Sequence, residues 1–154
     1  MTSEPSGANL IERYLRTRGS RYFRGHHDGD FFYVANTRPR RLHVHLEMSP
    51  PHGDLLIIRV APASFFPAAE RSWLTHFADT WNRGEREVTA LVHDSTDPQR
   101  IGLLARRSQW IREGVSFEDF ASFVDAAIAD AIDLFGQLTP VAELPARPLL
   151  QDAS

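Results

Sequence analysis

The sequence predicts an α+β fold: an antiparallel five-stranded sheet with helices packed on one face, in the order α-βββ-α-ββ-α. Three observations carry this. Apolar residues recur at helical spacing in three separated segments. Between them lie short alternating or wholly apolar runs, bounded by Gly, Pro, Asn and Asp. The strands also come in groups instead of alternating one for one with helices, which marks segregated α+β architecture. With 154 residues, 42% of them apolar and 24% charged, the chain is one domain that can hold its own core.

The first helix is expected over Asn9–Arg18. Asn9 stands at the cap and Glu12 at the capping-box position. Leu10, Ile11, Tyr14 and Leu15 form one narrow face, and Gly19 stops the helix. A hairpin follows, with Tyr22–His27 and Asp30–Asn36 flanking Asp28-Gly29, a pair suited to a type I′ turn. The stretch from Asn36 to Arg41 is a second turn, because Pro39 forbids a continuous strand. Leu42–Met48 alternates cleanly: Leu42, Val44, Leu46 and Met48 on one face, His43, His45 and Glu47 on the other. After a Pro/Gly turn over Ser49–Gly53, Leu55–Ala61 is the most apolar strand and is expected at the sheet's centre.

Pro67 is expected to open the second helix. Trp73, Leu74, Phe77, Ala78 and Trp81 lie within an arc of about 140°, and Gly84 ends it. Two further strands, Glu87–His93 and Ile101–Trp110, flank the turn at Asp94–Arg100. The last helix is expected from Phe117 to about Leu138, with Ser116 as N-cap and Asp119 in the capping-box position. Its apolar residues fill about half the helical wheel, more than one sheet contact requires. That excess predicts a second contact, with another helix or another subunit. Residues 139–154 lack periodicity and are expected to form a flexible C-terminal tail.

The order and three local features resemble the YbjN-type domain, similar in fold to type III secretion chaperones. The features are Asp28-Gly29-Asp30 ahead of an aromatic strand, Trp81-Asn82 closing the middle helix, and Gly114-Val115-Ser116 opening a final amphipathic helix that ends near Leu134-Phe135. The resemblance covers about residues 9–138. It implies a single non-enzymatic domain, often dimeric, with chaperone-like or regulatory roles, and it supplies no catalytic residues. On their own terms the same residues read as structural: Trp81 as core, Asn82 as a side chain satisfying backbone groups at the helix end, and Gly114 and Ser116 as capping residues.

Composition removes several chemistries. The absence of cysteine excludes disulfides, thiolate metal sites and a cysteine nucleophile. All 17 basic residues are arginine, which excludes Schiff-base or P-loop chemistry through lysine. No G-x-S-x-G elbow and no H-E-x-x-H helix appears. The start does not read as a signal peptide and no apolar window reaches membrane-spanning length, so a cytoplasmic protein without membrane contact is expected.

Two features of the sequence suit other functions. His43, His45 and Glu47 share one strand face and have metal-ligand chemistry, but a polar outer face is the ordinary state of an antiparallel sheet. Residues 1–60 hold nine arginines against six acids, while residues 113–138 hold six acids and no arginine. That basic surface could suit nucleic acid, yet no helix-turn-helix pattern or interleaved aromatics accompany it. With a net charge of −3, no nucleic-acid partner is expected. No cofactor is expected either. The favoured reading is a protein-binding module, homodimeric through its helices, that also binds an unidentified protein client. Trp73, Phe123, Ala127 and Leu134 are its candidate contact residues.

Overall fold

The computed structural model describes residues 7–138, apart from 39 and 50–53. The turn residue Pro39, most of the turn after Met48, and the tail over 139–154 lie outside them.

The elements run α1 (Gly7–Thr17), β1 (Tyr22–Arg24), β2 (Asp30–Ala35), β3 (Leu42–Met48), β4 (Leu55–Pro62), β5 (Phe66–Pro67), a 3₁₀ turn (Ala68–Glu70), α2 (Arg71–Arg83), β6 (Thr89–Asp94), β7 (Arg100–Trp110) and α3 (Phe117–Gly136). The class is α+β with an antiparallel sheet, as expected, but the sheet has seven strands and not five. The first arm of the hairpin is a strand in its own right, pairing Tyr22, Phe23 and Arg24 with Tyr33, Phe32 and Phe31. The other addition is β5, where Phe66 and Pro67 pair with Ile101 and Arg100.

Pro67 therefore does not open α2. The Ala68 N–H donates to the Gln99 carbonyl at 2.8 Å, which holds this segment against the start of β7 and delays the helix to Arg71. The path across the sheet is β1-β2-β3-β4-β7. β6 and β4 both pair with Ala105 and Arg106 of β7, so they occupy its opposite edges. β5 pairs with Ile101, which also pairs with β6; β5 thus continues the line of β4, and β6 is the outer strand.

The helices pack on one face. α1 contacts β3, α2 contacts β6, and α3 contacts β4, β7 and α1. The core joins Leu10, Ile11, Tyr14 and Leu15 of α1 to Val44, Leu46, Leu56, Ile58 and Val60 of the central strands. On α3, Phe120, Val124, Ala127, Ile128, Ala131, Leu134 and Phe135 are buried. The wide apolar arc of that helix is thus consumed inside the protomer. Its second contact is α1: the Tyr14 hydroxyl donates to Asp125 Oδ1 at 2.5 Å and Arg18 Nη2 donates to Asp125 Oδ2 at 2.6 Å.

Some local signals hold in the structure and others do not. The Ser116 side chain caps α3 by accepting the Asp119 N–H at 3.0 Å. Gly19 ends α1 at φ +69°, where a left-handed residue closes the last turn. Asn9, however, lies inside α1, which begins at Gly7. Glu12 does not complete a capping box. It gathers Tyr22 Oη at 2.6 Å, Arg16 at 3.3 Å and Arg24. The Asp28-Gly29 turn is closed by the Asp30 N–H donating to the His27 carbonyl at 3.0 Å. Neither central residue has a positive φ, so the turn is not type I′. Close approach explains Gly29 instead: a Cβ there would stand 3.1 Å from Met48 Cβ and 3.2 Å from its carbonyl oxygen.

Candidate functional site

The face of the sheet opposite the helices is where chemistry collects. Register alone places its residues. Phe23, Phe32, His45, Arg59, Arg106 and Thr89 are successive cross-strand partners, one from each of β1, β2, β3, β4, β7 and β6. The neighbouring row contains Asp30, Glu47, Ile57 and Ser108. Acids of one row therefore lie beside the bases of the next.

These groups form one chain of hydrogen bonds. Arg59 Nη1 donates to Glu47 Oε1 at 3.0 Å and to His45 Nδ1 at 3.1 Å. A guanidinium only donates, so Nδ1 is the acceptor and Nε2 carries the imidazole proton towards Asp30 Oδ1. His27 repeats the arrangement. Its Nδ1 accepts the Gly29 N–H at 3.3 Å and its Nε2 meets Glu47 Oε2 at 2.9 Å. The bonding thus assigns both rings the Nε2–H tautomer. Asp30 Oδ2 also accepts the His26 N–H at 3.1 Å, which ties the β1–β2 loop to the cluster.

Burial pushes the Asp30 carboxyl up, but the bonds from His45 and the His26 N–H outweigh it and hold the group below its ordinary range. Burial likewise works against ionised Glu47 and is outweighed by His27 and Arg59, so its value is lowered too. His27, Asp30, His45, Glu47 and Arg59 are thus a set of mutually satisfied groups. Beside it the apolar half is open. Phe23 and Phe32, 51% and 42% exposed, stack with ring centroids 5.4 Å apart, and Val34 is exposed next to them.

The metal alternative finds no support in this geometry. The Arg59 guanidinium occupies the space between His45 and Glu47, and a second cation there would be repelled. His43 is exposed and outside the chain of bonds. Among the described residues no group of three or more candidate ligands converges. Much of the basic surface is likewise internally engaged. Arg16 and Arg24 pair with Glu12, Arg18 with Asp125, Arg13 lies 4.1 Å from the Phe117 ring centroid, and Arg40 donates to the Phe135 and Leu138 carbonyls at the end of α3.

The four expected contact residues separate into two kinds. Ala127 and Leu134 are buried in the core of the protomer, because α1 and the sheet between them cover the centre of the apolar arc. They therefore present no surface to a partner. Phe123 is half-buried under the Arg107 guanidinium, 5.1 Å from its ring centroid. Trp73 is exposed and stacks on Phe77 at 5.5 Å.

Trp81-Asn82 proves to be a device for the edge of the sheet. Trp81 is buried, and its Nε1 donates to the Val88 carbonyl at 3.0 Å. Asn82 satisfies backbone groups as expected, but those of β6 and not of its own helix. Its Oδ1 accepts the Ala90 N–H at 2.8 Å and its Nδ2 donates to the Ala90 carbonyl at 2.9 Å. One amide side chain thus stands in for the next strand. Asp130 completes the arrangement by accepting the N–H groups of Glu87 and Val88 at 2.7 and 3.1 Å. Sequence reasoning missed these partners. It also passed over Arg59, although a single charge inside the run Leu55–Ala61 was a visible signal.

Comparison with known proteins places this geometry in a family. A family model described as "Putative bacterial sensory transduction regulator", YbjN, matches residues 8–139. The chain superposes on the crystal structure of YbjN, "a putative transcription regulator from E. coli", with a TM-score of 0.66 and 14% identity over 86% of this chain and 90% of that one. An uncharacterized protein from Methanothermobacter thermautotrophicus gives a TM-score of 0.54 and 14% identity over 87% of this chain and 97% of that one. No curated protein matches the chain. Among the described residues no helix is long and apolar enough to cross a membrane. With the family model spanning α1 through the end of α3, the chain belongs to the YbjN family.

Proposed function

We propose that the protein is a non-enzymatic cytoplasmic regulator that works by binding protein, assembling as a homodimer and serving a client in a chaperone-like or regulatory role. One observation carries the reading. Phe23, Phe32 and Val34 are exposed together on the face that no helix of the described residues covers, beside polar groups that already bond to one another. An apolar patch bordered by satisfied polar groups has the composition of a protein interface. The occupant we assign is a second copy, since a two-fold axis would set this apolar strip against its own counterpart. The helical seam expected from α3 is not part of the proposal, since its apolar residues are buried.

Light scattering at micromolar concentration tests the assembly. The wild-type chain should have the mass of a dimer, and F23S/F32S should weaken self-association by at least ~10-fold. A wild-type chain that stays monomeric overturns the dimer. A pull-down read by mass spectrometry tests the client, and its loss in the same variant would place client and dimer on one surface.

A further inference from the structure

The strand β7 is longer than the partner on its outer edge. Its 11 residues run from Arg100 to Trp110, but β6 pairs only with Ile101–Arg106. On the inner edge β4 continues to pair as far as Trp110. Residues 107–110 therefore overhang: held firmly on one side, without a strand on the other.

The overhang is built in, because the chain ahead of β6 is drawn away from β7. Asp130 holds the N–H groups of Glu87 and Val88, and Trp81 holds the Val88 carbonyl. Pairing with β7 thus begins only at Thr89. The direction of each backbone group follows from alternation. Ala90 turns its N–H and C=O outward to Asn82, so Thr89 and its partner Arg106 bond inward to each other. On β7 the even-numbered residues therefore face the outer edge. The Ile111 N–H donating to the Asp54 carbonyl at 2.8 Å agrees, since it places an odd-numbered residue on the β4 side. The N–H and C=O of Ser108 consequently point to the vacant edge, and among the described residues they have no hydrogen-bond partner.

Beside this edge lies a groove of ≈ 280 Å³ lined by Arg86, Glu87, Thr89, Leu91, Arg106, Arg107 and Ser108. The Arg106 side chain makes no ion pair or hydrogen bond among the described residues. It stands directly across from Arg59, whose own charge is met by Glu47. Among the described residues the buried Nε of Arg107 has no partner, and its Nη1 reaches only the Glu87 carbonyl at 3.3 Å. Arg86 is already met by Asp130 and Asp133. Among the described residues of the lining Glu87 is the single acid, so the positive charge of Arg106 and Arg107 exceeds it.

We infer that this notch accepts an extended acidic peptide segment of a protein client. The segment would add as a strand in line with β6, exchanging backbone hydrogen bonds with Ser108 and setting a carboxylate against Arg106 on the open face, with Arg107 adding positive charge from the other face. The inference rests on the protein-binding reading above and names the chemistry of the client.

The full-length chain and a short fluorescein-labelled peptide alternating glutamate and valine provide the test. Titration should shift the Ser108 amide resonance and slow its hydrogen exchange, leaving Phe23 and Phe32 unmoved. R106A/R107A should weaken binding by at least ~10-fold. S108P should do the same, since Pro here removes an N–H that no neighbouring strand uses. Peptide N-methylated on alternate amides, which leaves the protein untouched, should not bind. The proposal is overturned by no binding, by equal binding of a lysine–valine peptide, or by shifts centred on Phe23 and Phe32. Shifts centred there would leave the protein-binding reading standing, whereas a chain that neither dimerises nor captures any client defeats that reading whatever the peptide does.

Discussion

Arg59 is a charge inside an apolar run and Asn82 a polar residue at a helix end, and each has its role through partners on another element. Asn82→Ala leaves the N–H and C=O of Ala90 without their bonds, at a cost of about 1–3 kcal/mol. A urea titration should register that loss. Asn82→Asp keeps only the acceptor, and its midpoint should fall between those of alanine and wild type. The acids of the open face give a second prediction. Asp30 and Glu47 are held below their ordinary values of 3.8 and 4.5, as is Asp125. Each binds fewer protons folded than unfolded. Their contribution is complete above those ordinary values and is lost as pH falls through the lower folded ones. Melting temperature should therefore drop as pH is lowered below about 4.5, and D30N/E47Q should flatten the fall. An unchanged slope in that variant would mean the cluster is not the source.

At the level of elements, what the sequence made legible was local. The alternation of Leu42–Met48, the cap at Ser116 and the stops at Gly19 and Gly84 involve neighbours within a turn, so their signals sit side by side. Ser116→Ala should cost about 1 kcal/mol in thermal or chemical melts, because Asp119 then loses its acceptor. What failed was set by distant segments. Pro67 looked like a helix opener because nothing near it announces Gln99. The Asp28-Gly29 pair suggested a left-handed turn because Met48, the true reason for a residue without a side chain, is a strand away. The candidate site divides in the same way. The polar stripe of His43, His45 and Glu47 was visible, but its meaning depended on Arg59 and Asp30, which only strand register brings alongside. Two-residue β5 offered no periodicity at all.

The molecule as a whole has one covered face and one open one, and this division corrects the sequence-based choice of contact surface. A wide apolar arc on α3 suggested surplus; α1 and the sheet together absorb it. Leu134→Ala should accordingly destabilise the protein by about 2–5 kcal/mol, measured by chemical denaturation. Trp73→Ala, at an exposed site, should change stability by no more than about 0.5 kcal/mol. If the two variants melted alike, the assignment of Leu134 to the interior would be wrong.

The guard on the outer strand belongs to a helix and not to the sheet itself. Asn82 protects Ala90 only while α2 stays docked, so a protomer whose α2 has swung away still carries an intact sheet with a bare end. That intermediate, more than the fully unfolded chain, is the species from which clumping should start on heating. Loosening α2 alone, for example by trimming Leu74, should then lower the temperature at which turbidity appears by more than it lowers the melting of the strands.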